Sequence, residues 1–362
     1  MQDGIRSKAD TFFGLAAGQV GVRPWLVVIL MHEYYRNLYP ADPHLPFGPG
    51  ASHLARIEGV LDQAIRCLES FEFAGSYLRQ QTDWRATVLR QLRSRSEQRE
   101  REGETQQVYG QLWDRFDEKA YVEQAYRILA ERFAGSEFDL NAVAGRRVLD
   151  MGCGSGRYTI ALARAGAARV VGVDLGSRSI EWARTIAEGA GLTNVEFVVG
   201  NVLKLSCEDR AFDFVFCNGV LHHTTDMEGG IRELHRVLRC GGRAFLYVYA
   251  DGGLFWYSRK RMPEIMKQIP QEYTMAVLDM IGLPSNRFFF VDNWYVPIER
   301  HTSREWLEHY LAQVGFDPIV KIHSGRATDL DSRECAAHPE SQVLWGDGEH
   351  RYLLGKGEAL TQ

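Results

Sequence analysis

Apolar residues in the first part of the chain recur at helical spacing. Leu54, Ile57, Leu61, Ile65 and Leu68 fall three or four positions apart, and Trp84, Val88, Leu89 and Leu92 repeat the pattern. Each set marks the buried stripe of an amphipathic helix. An earlier apolar run, Trp25 to Met31, is seven residues long and follows Arg23 and Pro24. It is too short to span a membrane, and no small-residue cleavage site of a signal peptide follows it. A core helix entered at Pro24 accounts for it. A further helix is predicted on Val122, Tyr126, Leu129 and Phe133. These patterns predict an all-α module over 1–105, acting as a roof over an acceptor or in oligomerisation, and then a helical linker or lid over 106–145.

After Gly145 the rhythm changes to short β-rich runs separated by helical stretches. The runs are Arg147 to Met151, Ala168 to Val173, Val195 to Val199, Phe212 to Cys217 and Arg243 to Tyr249. Alternation of this kind predicts a parallel sheet with right-handed crossovers. From Asp251 to His301 the alternation gives way to aromatic and proline-containing sequence. Helical signal returns at Thr302 to Val314, and the runs Pro318 to Ile322 and Arg351 to Gly355 are placed to close the sheet. The expectation is an α/β domain over 146–357 with an insertion at 251–301.

Composition narrows this picture only modestly. Hydrophobic residues make up 45% and charged residues 25% of the 362 positions, the profile of a folded chain with a sizeable core. A net charge of -5 argues against a partner held by its phosphates, which calls for basic excess. The stretch Arg85 to Glu104 holds six arginines and four glutamates; it reads either as a nucleic-acid patch or, with its signs intermixed, as a solvated helix face. The six cysteines include no CxxC pair and no zinc-type Cys/His spacing, so no metal is expected and reduced thiols in a cytoplasmic protein are the simplest reading.

The chemistry gathers around one loop. A strand ending in Val148-Leu149-Asp150 runs into Met151-Gly152-Cys153-Gly154-Ser155-Gly156, and a helix follows from Arg157 to Ala165. Glycines let the chain turn sharply and let a ligand approach the backbone, but a plain chain reversal produces the same pattern. The positions that follow add to it. Asp174 ends the second strand 24 residues after Asp150, where a carboxylate can accept both hydroxyls of a ribose. Asn201 follows the third strand, and its side-chain oxygen can accept the amino hydrogen of an adenine. The loop is GxGxG, whereas a dinucleotide fold spaces its glycines GxGxxG so that a pyrophosphate sits on the helix amino terminus.

Together these segments resemble the class I S-adenosylmethionine-dependent methyltransferases of the small-molecule type. The first family motif is similar to residues 148–156 and the second to Val171-Gly172-Val173-Asp174. Later ones are similar to Phe212 to Asn218 and to Leu234 to Gly242. The resemblance covers residues 146–249. It implies a Rossmann-like, mostly parallel seven-stranded sheet, and S-adenosyl-L-methionine as the methyl donor, with S-adenosyl-L-homocysteine as product. On this resemblance Asp150, Gly152, Cys153, Gly154 and Gly156 line the methionine end of the donor and Asp174 binds its ribose. Asn201 contacts the adenine, and Leu175, Val202 and Asn218 complete the donor site. Asn201 stands where the family often has Asp, and Cys240 where a proline is usual.

Methyl transfer needs a nucleophile held in line and often a base to take its proton. His222 and His223 follow the fourth strand on the donor's edge of the sheet and are the candidate bases; the alternative is that they only shape the loop. The Leu221-His222-His223 sequence is itself similar to that of related small-molecule enzymes. Acceptor contacts are expected from the segment 251–301, rich in aromatics such as Phe255, Trp256, Tyr257 and Phe288 to Phe290, with Asp292, Asn293 and Tyr295 as polar candidates. Those aromatics read equally as a core or a dimer seam. Tyr109, with Trp113 and Phe116, is either a lid over the donor or helix packing. The function expected is transfer of a methyl group to oxygen or nitrogen of a small metabolite in a biosynthetic setting, with a homodimer as a possible assembly and neither nucleic acid nor membrane as partner. The rival readings are a methyltransferase acting on RNA or protein, a catalytically silent donor-binding module, and a dehydrogenase.

Overall fold

A computed structural model of the chain describes residues 2–38, 53–70, 73–74, 123, 126–127, 129–130, 133, 139–281, 293–296, 298–323 and 339–357. The chain divides into two compact units, Met1–Arg101 with Asp251–Pro297 and Gly325–Gly348, and Glu102–Ala250 with Ile298–Ser324 and Glu349–Gln362.

Helices make up the described secondary structure of the first unit. They are α1 (Gln2–Gln19), α2 (Pro24–Leu38) and α3 (His53–Glu69), joined by α7 (Gly253–Met266), α8 (Gln271–Met280) and α10 (Pro339–Trp345). The apolar run at Trp25 to Met31 is the core of α2, whose first helical residue is Pro24. Proline suits that position because its missing N–H has no helical partner there in any case. On α1 the buried residues Ile5, Ala9, Phe12, Phe13 and Ala16 fall on one stripe. Phe12 and Phe13 meet the ring of Tyr34 at 5.4 and 5.9 Å. The fully buried Tyr34 hydroxyl pairs with Ser258 Oγ at 2.7 Å, which offsets the cost of taking a hydroxyl out of water. The helices α7 and α8 lie inside the segment expected as an insertion, and the contacts of 251–297 group them with α1–α3.

The second unit is built on a seven-stranded sheet. Its elements are β1 (Arg147–Met151), α4 (Arg157–Arg164), β2 (Arg169–Asp174), α5 (Ser177–Gly189), β3 (Val195–Val199) and β4 (Phe212–Asn218). They continue with α6 (Met227–Val237), β5 (Leu238–Val248), α9 (Arg304–Val314), β6 (Phe316–Lys321) and β7 (His350–Lys356). The strand order is β3-β2-β1-β4-β5-β7-β6; β7 runs antiparallel to both β5 and β6, and the other pairs are parallel. This is the Rossmann-like, mostly parallel architecture expected.

The central strands β1 and β4 read as mainly apolar runs because both faces are covered. Alternation sends Leu149, Met151, Val215, Cys217, Leu246 and Leu354 to one face, where Ile231 and Leu234 of α6 and Leu307 and Leu311 of α9 cover them. It sends Val148, Phe214, Phe216, Phe245 and Leu353 to the other, against Ala161 and Leu162 of α4. Each large side chain so buried stabilises the fold by about 1.5–3 kcal/mol. β5 begins at Leu238 rather than at Arg243 because Leu238 pairs with Phe212 across an irregularity in the β4 register, a tertiary event with no local signature. At the other end Ser303 stops the chain before α9, its Oγ accepting the Trp306 N–H.

The order of the strands also locates a site. The chain leaves β1 toward β2 on one side and returns to β4 on the other, so the carboxyl ends of β1 and β4 face a crevice, where open α/β sheets bind ligands.

Candidate functional site

At the end of β1 the backbone turns through Gly152, Gly154 and Gly156, all with φ between +52° and +84°, a region costly to side chains with a Cβ. Two of these glycines are closed in by the protein's own packing. A Cβ on Gly152 would lie 2.4 Å from a Val220 methyl, and one on Gly156 would lie 2.7 Å from the Phe197 ring. A Cβ on Gly154 would meet nothing within 4 Å. Gly154 is therefore the member of the loop that faces open space, where a ligand can reach the backbone.

The loop is tied down by Asp174 at the end of β2. Asp174 Oδ2 accepts the Gly154 N–H at 2.9 Å, and Oδ1 accepts the Gly176 N–H at 2.8 Å. The Gly152 and Cys153 N–H groups donate to the Val173 carbonyl, and the Gly156 N–H to the Cys153 carbonyl. Four loop amides are thus already engaged, and none of these is presented as part of a nest for a pyrophosphate. A second carboxylate, Asp150, lies beneath the loop at 2% exposure and accepts the Thr159 hydroxyl at 2.7 Å. Burial pushes its pKa up from 3.8 to about 7, against the opposing pull of the Thr159 hydroxyl, and the negative charge of Asp174 adds to the rise. Burial likewise drives the Cys153 thiol well above its ordinary range, so it is inert at neutral pH. Two carboxylates with their amides satisfied suit a cationic ligand better than an anionic one.

Apolar side chains complete the edge. Leu175 is 68% and Val199 49% exposed, and Val199 is the register partner of Asp174. Val202 is buried. The Asn201 side-chain oxygen accepts the Leu203 N–H at 2.9 Å, so its main work in the ligand-free chain is to form the turn after β3. At the end of β4 the Asn218 Oδ1 is buried and makes no hydrogen bond among the described residues.

The two histidines occupy a short helical turn, Leu221–His223, in different surroundings. His222 is fully buried and its ring stacks on Tyr249 with centroids 3.6 Å apart. His223 is partly exposed, and its Nδ1 lies 2.8 Å from the Ile298 carbonyl oxygen. A carbonyl can only accept, so Nδ1 carries the hydrogen and the neutral ring has its lone pair at Nε2.

Comparison with known proteins decides between the readings of this edge. Residues 142–306 match a family model described as a methyltransferase domain. This stretch is a class I methyltransferase domain. It is similar to the 27-O-demethylrifamycin SV methyltransferase of Amycolatopsis mediterranei (strain S699), 37% identical over 147 residues, 39% of this chain and 52% of that protein. It is also similar to a demethylmenaquinone methyltransferase of Geobacillus stearothermophilus, 29% identical over 143 residues, 37% of this chain and 61% of that protein. A ubiquinone biosynthesis O-methyltransferase of Methylocella silvestris is 41% identical over 101 residues, 28% of this chain and 39% of that protein. The chain thus spans between 39% and 61% of the length of these relatives.

The cofactor of the methyltransferase domain is S-adenosylmethionine, and the edge fits it. The open Gly154, the unsatisfied buried oxygen of Asn218, the paired carboxylates and the exposed Leu175 and Val199 all lie at the carboxyl ends of β1, β2, β3 and β4. A cavity of about 290 Å³ lined by Arg146, Asp213, Phe214, Arg243 and Leu353 is at the amino ends of the strands and has no part in this site. Of the acceptor candidates, Asn293 is buried and Tyr295 partly buried in the first unit. The Tyr295 hydroxyl donates to the Ile269 carbonyl at 3.0 Å and lies 2.6 Å from Thr274 Oγ1, and burial pushes its pKa up to about 12. Tyr109 and Asp292, with Trp113, Phe116 and Phe288 to Phe290, lie outside the described residues. Sequence reasoning did not single out Thr159 or Tyr249, and it took 298–301 only as the end of the aromatic segment 251–301. Thr159 alone had a signal, a hydroxyl one turn into the helix after the loop.

Two tests follow from this geometry. Gly154→Ala adds about 1–2 kcal/mol of backbone strain but no collision, so the protein stays folded while affinity for S-adenosylhomocysteine falls; Gly152→Ala, which collides with Val220, lowers the melting temperature more. Calorimetric titration and thermal melts check both. Because the folded-state pKa of Asp150 is raised, the stability it contributes is fully present below about pH 4 and lost as pH rises through about 7. Asp150→Asn stays neutral throughout, so the melting temperature of the ligand-free wild type should fall relative to this variant between pH 5 and 8. Parallel curves would contradict the assignment.

Proposed function

We propose that the protein transfers a methyl group from S-adenosylmethionine to an oxygen or nitrogen atom of a small metabolite, with His223 as the base. The observation that carries this reading is the His223 ring. Its Nδ1–H is held by the Ile298 carbonyl, which leaves Nε2 as the basic nitrogen on the partly exposed side of a turn that follows β4. His222, fully buried and stacked on Tyr249, serves as the floor of that turn.

When bound, S-adenosylmethionine supplies a methyl group on a positively charged sulfur. Asp174 would hold the ribose with lone pairs left over from its two backbone contacts, and Leu175 and Val199 would cover the adenine. Asn201 and Val202 would border the base, and Asn218 and the backbone at Gly154 would meet the methionine end. Asp150, beneath the loop, would give up its proton more readily beside a positive charge. His223 Nε2 would take the proton that the acceptor's hydroxyl or ammonium group must lose.

The small-molecule class of acceptor is supported by the names of the relatives, which refer to a rifamycin derivative, to demethylmenaquinone and to ubiquinone biosynthesis. Among the described residues no helix is long and apolar enough to cross a membrane.

The experiment has two stages. Titration with S-adenosylhomocysteine and with NAD should show binding of the first and none of the second; the reverse would end the methyltransferase reading for this chain. Incubation of the protein with donor labelled in its methyl group and an extract of the producing cells should then yield a labelled small molecule. With that acceptor, His223→Ala should lower kcat by about 10²- to 10⁴-fold with donor affinity unchanged, and His222→Ala should act chiefly through stability. Wild-type turnover by His223→Ala would remove the histidine from the mechanism.

A further inference from the structure

The segment 298–302 is irregular, yet hydrogen bonds lace it to the histidine turn and to the chain just after β5. The Ile298 carbonyl meets His223 Nδ1 at 2.8 Å, and the Arg300 N–H donates to the His222 carbonyl at 2.9 Å. Two residues later Thr302 bridges to Ala250 just beyond β5, with its N–H 3.3 Å from the Tyr249 carbonyl. The His301 Nδ1 is 2.8 Å from the Ala250 carbonyl, and His350 Nε2 is 2.8 Å from the Thr302 carbonyl. The far end of the segment is therefore anchored several times over. The near end, which carries the Ile298 carbonyl, is anchored differently.

There the guanidinium of Arg300 reaches Glu228 in the first turn of α6. Its two terminal nitrogens lie 2.8 Å from Oε2 and 3.4 Å from Oε1, a two-pronged geometry that fixes direction as well as distance. Glu228 is also suited to its own place, since a carboxylate in a first turn is stabilised by the helix dipole. The Glu228 carbonyl in turn accepts the Tyr310 hydroxyl at 3.1 Å, so the helix end is held from α9 as well.

We infer that Glu228 and Arg300 are positioning residues that set the tautomer of His223: they clamp the 298–302 segment to α6 and so keep the Ile298 carbonyl against Nδ1. An imidazole in water has no such constraint and exchanges its hydrogen between the two nitrogens. With the carbonyl in place the neutral ring is restricted to the Nδ1–H form, and Nε2 is permanently the acceptor of protons. The assignment takes its functional meaning from the reading of His223 as base, but the tautomer itself is a property of the ligand-free protein.

The test uses the full chain labelled with ¹⁵N at histidine, with the His223 resonances assigned from the His223→Ala spectrum. Above the titration of the ring, nitrogen shifts in the wild type should report a single Nδ1–H tautomer. In Glu228→Gln and Arg300→Gln the two nitrogen shifts should move toward each other as the tautomers mix, and the charge-exchanged double variant Glu228→Arg with Arg300→Glu should restore them in part. Once an acceptor is known, both single variants should lower kcat severalfold while leaving affinity for S-adenosylhomocysteine unchanged. An Nε2–H tautomer in the wild type would overturn the inference, and so would an unaltered Nδ1–H tautomer in both single variants that remain folded by thermal melt. If the tautomer behaves as stated while His223→Ala keeps full turnover, the clamp stands and the role of His223 as base falls.

Discussion

The carboxylate of Asp174 accepts one backbone N–H from the loop after β1 and another from the loop after β2. Each is a charge-assisted hydrogen bond of the stronger kind, and between them they fix the height of Gly154 above the sheet. A turn with three residues at positive φ has little preference of its own for one conformation. The same charge acts at a distance on Asp150, whose burial already favours the protonated form. The glycine loop after β1, the turn after β2 and the proton balance at Asp150 therefore depend on one residue at the end of β2.

On the other side of the order reversal the organisation is mainly backbone. The turn Leu221–His223 is shaped by carbonyl and amide contacts to 298–302 and by the stacking of His222 on Tyr249. A methyl on a positively charged sulfur needs little activation, so the demand on the protein is orientation and exclusion of water. Rings and backbone groups meet that demand without placing a further formal charge beside a cationic ligand. The two sides of this edge are thus built from different materials: carboxylates and glycine at the ends of β1 and β2, aromatic rings and two imidazoles at the ends of β4 and β5.

Much of this was legible in the amino-acid sequence. The runs Arg147 to Met151 and Val195 to Val199 coincide with β1 and β3, because short β-branched and aromatic stretches bounded by charge or glycine mark strands in the covered middle and at the edge of the sheet alike. The glycine loop and its partner carboxylate were readable as strand-end features for a related reason: both depend on local turn chemistry. What was not readable depends on partners far away in the chain. Gly152, Gly154 and Gly156 look alike as letters, and only Val220 and Phe197 separate the filled positions from the open one. His222 and His223 look alike too, and the carbonyl that distinguishes them is 75 residues downstream. The start of β5 was misjudged because Leu238 joins the sheet through Phe212, not through any pattern of its own.

Val220 packs into the space that Gly152 leaves by lacking a Cβ, and the next residue along from Val220 opens the histidine turn. One aliphatic contact therefore acts as a spacer between the glycine loop after β1 and the histidine turn after β4. A larger or smaller side chain at 220 would change the separation of the two without replacing a residue of either. The spacing of two strand-end loops is then set by a residue with no chemistry of its own, and the exchange of one methyl group at that position is enough to change it.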